Sequence, residues 1–374
     1  MRTTLILSVP VVMTLAACTD RVPTTIDPPD VRAGASAKRD VPVAAASVSV
    51  VMSNLNNPRG LAWGPEGGLY VVEAGTTAVT TNCVVIPPGP SCYSGTGAVS
   101  RLWKGQQERV ATGLPSVFRM GPNDVQGPQD ISFQGRGNAY VTIGFAGPPA
   151  ARAGLGAVGA SFGTLIKLTP NGQWSVEADI SALEAATNPA GGPLDSNPYG
   201  VLAEPGREFV TDAGGNSVFE VTANGAVSLV TTLPGTPAPP PFNQSESVPT
   251  EVIRGPDGAL YVSTLTGAPF VAGSAAIWRV VPGSAPTVYE GGFKAITDFD
   301  WGPDGSLYVV QYASAPLFFG GPGLLIRVAP GGARTTISSS LTNPTGVLVG
   351  PDGAIYVSNR GNAVGVGEVL RIVP

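Results

Sequence analysis

The chain has 374 residues, 50 of them Gly and 37 Pro, and only 13% are charged, which excludes long helices and coiled coils. Its 21 basic and 26 acidic residues give a formal charge of -5 with no basic run, so nucleic acid is not an expected partner. Histidine is absent, which removes the commonest general base, the commonest zinc ligand and every Ser-His or Cys-His arrangement.

Residues 1–17 pass from Arg2 through an apolar stretch to small residues before Cys18, the pattern of a secretory signal too short to remain as a membrane span. Leu15-Ala16-Ala17-Cys18 resembles the lipobox of bacterial lipoproteins, which makes Cys18 the expected lipidation site; the alternative is an ordinary signal peptide with a chance cysteine. Residues 18–46, rich in Pro, Ala, Thr and Asp without periodicity, read as a flexible tether. The expectation is an exported protein, anchored by lipid to a bacterial membrane and facing periplasm or exterior.

Cys83 and Cys92 form an even pair nine residues apart. In an exported chain they are expected to form a disulfide pinning a surface loop; two thiols with no histidine leave a metal shell incomplete.

From residue 47 to 374 the chain repeats itself at about 55 residues per unit. The clearest copies are Asn57-Pro58-Arg59-Gly60-Leu61-Ala62-Trp63-Gly64-Pro65-Glu66-Gly67-Gly68-Leu69-Tyr70-Val71-Val72 and Asn343-Pro344-Thr345-Gly346-Val347-Leu348-Val349-Gly350-Pro351-Asp352-Gly353-Ala354-Ile355-Tyr356-Val357-Ser358. The other four begin near Pro128, Pro198, Pro249 and Ile296. Each unit reads as four short strands punctuated by Gly and Pro turns, so the predicted fold is all-β, a six-bladed β-propeller. The chain stops after the third strand of the sixth unit, and Ser53-Asn54-Leu55-Asn56-Asn57-Pro58 resembles Ser339-Ser340-Leu341-Thr342-Asn343-Pro344. An N-terminal strand, Val48 to Leu55, is therefore expected to complete the last blade.

The long insertions fall between strands two and three or between blades, which places them on one face, here called the top. They mark either a binding face, with Tyr199, Phe242, Phe318 and Phe319 as candidates, or neutral drift in exposed loops. Two residues after each anchor stand Gly60, Asp130, Gly200, Glu251, Asp298 and Gly346. Asp130, Glu251 and Asp298 are expected to converge near the upper mouth of the channel, with Asp300 deeper. Converging carboxylates need a cation, an arginine or a raised pKa, and hard oxygen ligands favour Ca²⁺ or Mg²⁺. The alternative is that each accepts backbone hydrogen bonds from a neighbouring blade. The third-strand charges Arg101, Lys167, Glu220, Arg279, Arg327 and Arg371 are expected to face solvent.

The repeats resemble NHL-type six-bladed propellers and, through Gly127-Pro128-Gln129-Asp130-Ile131-Ser132-Phe133, Gly137-Asn138-Ala139-Tyr140-Val141-Thr142-Ile143-Gly144 and Asn197-Pro198-Tyr199-Gly200-Val201, the ScyD/ScyE family of exported bacterial proteins. That resemblance implies the propeller fold and no established reaction. Asp212 and Asn216 match NHL turn residues that fix a hairpin. The positions matching the cation ligands of gluconolactonase-like propellers are Arg59, Gln129, Tyr199, Thr250, Thr297 and Thr345, none a carboxylate. The expected role is a monomeric ligand- or protein-binding or scaffold module working through the top face; the competing one is a divalent-metal-dependent hydrolase or lyase using the channel carboxylates.

Overall fold

A computed structural model describes residues 46–135, 137–315 and 320–374. The signal segment, nearly all of the tether, Cys18, Phe318 and Phe319 lie outside the described residues. Among the described residues, no helix is long and apolar enough to cross a membrane.

Six four-stranded antiparallel sheets follow one another as blades. The first comprises Pro58–Trp63, Leu69–Glu73, Gly97–Trp103 and Gln106–Leu114, and the later ones start at Pro128–Gln134, Pro198–Glu204, Pro249–Arg254, Ile296–Trp301 and Gly346–Val349. Each innermost strand packs beside the next, and the sixth packs beside the first, which closes a ring. The last blade is completed by Ser47–Leu55, paired from Ser47 opposite Val373 to Leu55 opposite Gly367. Met52 and Leu55 of that strand are buried with Leu61, Leu69 and Val71 of the first blade, so the closing strand also seals the neighbouring blade interface.

Hydroxyl and carboxylate side chains tie blade to blade at repeated positions. Thr250, Thr297 and Thr345, each one residue past its anchor, donate to the carbonyls of Ile296 (3.1 Å), Pro344 (3.1 Å) and Pro58 (2.7 Å) in the following blade. Thr211 donates likewise to the Thr250 carbonyl at 2.7 Å, and Thr142 to that of Tyr199. Each satisfies a buried carbonyl that sheet pairing leaves open.

The bottom turns of the Gly-Pro-Asp-Gly type capture charges expected in open solvent. Arg101 pairs with Glu66 (3.1 Å), Arg279 with Asp257 (2.7 Å), Arg327 with Asp304 (2.6 Å) and Arg371 with Asp352 (2.7 Å). The third strand ends beside the turn between the first two, so a long arginine folds back onto it. Lys167 lies over the Tyr140 ring, and Glu220 approaches Arg207 at 3.7 Å.

The top-face insertions are more structured than their composition suggests. Cys83 and Cys92 form the expected disulfide, across a hairpin of Cys83–Ile86 and Gly89–Tyr93. Two further short strands, Val117–Arg119 and Asp124–Gln126, add to it and make a seventh four-stranded sheet. A helical stretch, Pro149–Ser161, packs on the Cys83–Ile86 strand. An α-helix, Ile180–Thr187, is capped by Asp179, whose carboxylate accepts the Ala182 N–H.

Candidate functional site

The site is created by a repeated irregularity in the inner strands. In five blades the register shifts just past the anchor, between Pro58 and Leu61, Pro128 and Ile131, Pro198 and Val201, Pro249 and Val252, and Ile296 and Asp298. A bulge lets two consecutive side chains face the same side. Residues one past the anchor, including Arg59, Tyr199, Thr250, Thr297 and Thr345, line a top-face funnel of about 520 Å³. Of the residues two past the anchor, Asp130, Glu251 and Asp298 line a separate cavity of about 230 Å³ further along the inner strands.

That second cavity gathers Asp130, Glu251, Asp298 and Asp300. They do meet, but not at the upper mouth as expected: the bulge hands the mouth to the preceding residue and turns the carboxylates toward the lower half of the channel. Their oxygens are engaged. Asp298 accepts from the Phe299 N–H (2.6 Å) and the Val347 N–H (2.7 Å) of the next blade. Asp300 accepts from the N–H groups of Trp301 (2.7 Å) and Val349 (2.8 Å). Asp130 accepts from the Val201 N–H at 2.8 Å, and Glu251, in the same cavity, accepts from the Val252 N–H at 2.9 Å. Among the described residues no group of three or more His, Cys, Asp and Glu is arranged to hold a metal ion.

Burial governs the ionisation of this cluster. It pushes the Asp130 carboxyl up to about 7 and Asp300 to about 6, against the lowering effect of their backbone donors. Glu251 and Asp298 rise well above the carboxylate range through burial first and the nearby Asp130 charge second. Burial and the mutual repulsion of Asp130 and Glu251 disfavour ionising both at once, which keeps a proton on the pair.

The other three blades carry glycine at this position because there is no room for a side chain. A Cβ at Gly60 would run into the Asp130 carboxylate and come within 2.9 Å of its Cα. Gly60→Ala is expected to destabilise the fold by about 3 kcal/mol, measured by denaturant unfolding, whereas Gly67→Ala, whose Cβ meets nothing within 4 Å, strains only its local turn.

The funnel above is chemically different. Arg59 is fully engaged: it donates to Gln129 at 3.2 Å and to the carbonyls of Gly361 and Val125, and lies 3.6 Å from Asp124. Arg119, Tyr199 and Tyr312 also line the funnel, and among the described residues no side-chain hydrogen bond or ion pair engages their head groups. The Arg119 Nε is buried without an acceptor. Burial raises the pKa of both phenols, first among the causes for each.

Of the residues expected on the binding face, Tyr199 lines the funnel and Phe242 is exposed in the Pro-rich loop. Arg119, Tyr312 and Asp124 were not foreseen. Arg119 and Asp124 stand opposite each other in a hairpin of two three-residue strands, too short to carry a periodic signal, and the hairpin's other partner, Gly89–Tyr93, is remote in sequence. Asp212 fixes its hairpin, as the NHL pattern implies: it accepts from the N–H groups of Asn197, Gly214 and Gly215 and from the Ser196 hydroxyl.

No protein-family model matches the chain, and no curated protein matches it at significance. Solved structures do match. A glucose dehydrogenase is 14% identical over 88% of this chain and 99% of its own, with a TM-score of 0.53. A structural genomics protein of unknown function from Bacteroides thetaiotaomicron VPI-5482 is 11% identical over 88% of this chain and 76% of its own, with a TM-score of 0.52. Virginiamycin B lyase from Staphylococcus aureus is 13% identical over 88% of this chain and 99% of its own, at a TM-score of 0.46. At these identities the likeness shows the shared β-propeller fold alone.

Proposed function

We propose that the protein is a lipid-anchored cell-envelope β-propeller of the ScyD/ScyE type that acts as a binding module, taking a small polar ligand in the top-face funnel. One observation carries this reading: a cavity of about 520 Å³ lined by a guanidinium and two phenols that the fold itself does not use. The Arg119 Nε in particular is withheld from solvent without an acceptor, which costs stability, and a site that keeps such a donor is preorganised for a ligand. Export is supported by the Leu15-Ala16-Ala17-Cys18 sequence and by the disulfide, which belongs to an oxidising compartment.

A second reading, a divalent-metal-dependent hydrolase or lyase holding Ca²⁺ or Mg²⁺ on Asp130, Glu251, Asp298 and Asp300, draws on their shared cavity. It is the weaker one, because the oxygens a cation needs already face backbone N–H groups.

The test is a thermal-shift screen of small polar metabolites against the folded protein. A true ligand at 100 times its dissociation constant should stabilise the propeller by about 2.7 kcal/mol. That gain should vanish in Asn362→Trp, which fills the funnel from an exposed lining position. Hits that keep their full effect in this variant would place binding elsewhere and overturn the reading.

A further inference from the structure

We propose that the funnel ligand carries a carboxylate, or an equivalent planar oxyanion, gripped by the Arg119 guanidinium with the Tyr199 and Tyr312 hydroxyls beside it. This rests on the funnel being the binding site and adds the chemical class of what it binds.

The charge balance of the lining is the first argument. The funnel contains two arginines and one acid, Asp124. Asp124 is already committed, 3.6 Å from Arg59 and hydrogen-bonded by Gln126. Arg59 is further spent on Gln129 and two backbone carbonyls. One positive charge, Arg119, is left without a counterion in the lining. Asp195 senses Arg119, but it lies outside the lining and beyond the 4.0 Å of an ion pair.

The second argument is how Arg119 is held. It occupies the end of Val117–Arg119, paired on one side with Ser91 and on the other with Asp124, so its backbone is fixed by the disulfide-closed sheet. Its Nε is buried and has no acceptor. A buried donor on a charged group is costly to leave unmade, and a carboxylate presents two oxygens to the guanidinium fork. An ammonium offers that donor no acceptor, and a neutral carbonyl would accept from it without offsetting the guanidinium charge.

The third argument is the rest of the wall. The phenols of Tyr199 and Tyr312 add two donors, and Val248, Leu265 and Pro122 add apolar surface for the remainder of the molecule.

The experiment uses benzoate and benzamide, near-isosteres that differ in charge, titrated into the ¹⁵N-labelled protein at constant ionic strength, following the Arg119 Nε–Hε resonance and heat of binding. Benzoate should shift that resonance and bind at least about tenfold more tightly than benzamide, and Arg119→Gln should abolish the difference. Arg119→Lys, which keeps the charge but loses the fork, should recover only part of it. Arg119 makes no side-chain hydrogen bond or ion pair among the described residues, so both variants should fold, checked by their unfolding midpoints. Equal binding of both probes, unaffected by Arg119→Gln, would overturn the oxyanion assignment and leave the funnel standing. No shift by benzoate up to its solubility limit would overturn the assignment too, while screen hits lost in Asn362→Trp would still uphold the funnel.

Discussion

Starting the folded domain at Asn56 instead of Ala46 should abolish cooperative unfolding or lower its midpoint by more than about 15 °C, measured by calorimetry. The deletion removes Ser47–Leu55, the outer strand of the sixth blade, and strips one edge from Gly367–Val373. It also takes two buried side chains, Met52 and Leu55, from a cluster shared with the first blade. Leu55→Ala alone should cost about 3 kcal/mol by the cavity argument. The same segment carries connections to the first blade: Gln107 and Arg109 bond to Ser53 and Asn54. A peptide of residues 47–57 added in trans should restore part of the loss by pairing with the bared edge. If the shortened chain unfolded with the parent's midpoint and cooperativity, ring closure by the N-terminal strand would not be what holds the propeller together.

That closing strand was legible because repetition supplies its own phase. Six anchors set the blade count, and a missing outer strand at the C-terminus demanded one at the N-terminus. The Gly and acid alternation was legible too, since each residue is counted from an anchor. What could not be read was which cavity the acids face. That depends on the bulge between Pro128 and Ile131 and its counterparts, a backbone irregularity with no residue signature of its own. Arg119 was hidden for a different reason. Its strand has three residues, and its partner Ser91 lies across a connection through two strands of the first blade. The helix Ile180–Thr187 did carry a signal, Asp179 as N-cap before a run of good helix formers, which composition rich in Gly and Pro led the sequence reading to pass over.

Glu251→Gln should make the protein more stable at pH 8 and leave it nearly unchanged at pH 4. The wild-type pair Asp130 and Glu251 holds a proton that the unfolded chain gives up near the ordinary carboxylate pKa. A carboxyl whose folded pKa is raised binds more protons folded than unfolded, so its contribution is fully present below the unfolded value and is lost as pH rises through the folded one. With Asp130 pushed up to about 7 and Glu251 above the carboxylate range, the loss runs from about pH 4 through pH 7 and beyond. Glutamine imitates the protonated form. Its carbonyl can accept from the Val252 N–H as Glu251 does, and its amide can donate to Asp130 without a proton being taken up. The gain at pH 8 should be on the order of 2 kcal/mol. Glu184, Glu208 and Asp212 are also raised by burial and add to the slope of both proteins, so the difference between variant and parent isolates the pair. Asp298→Asn is no substitute, because both Asp298 oxygens accept backbone N–H groups and an amide would set a donor against one of them. The measurement is urea unfolding at both pH values, with Ca²⁺ or Mg²⁺ and with chelator. If Glu251→Gln were instead destabilising at pH 8, and added cation stabilised only the parent, the cavity would be ionised and closed by a metal; the backbone donors and the proton kept on the pair predict the opposite sign.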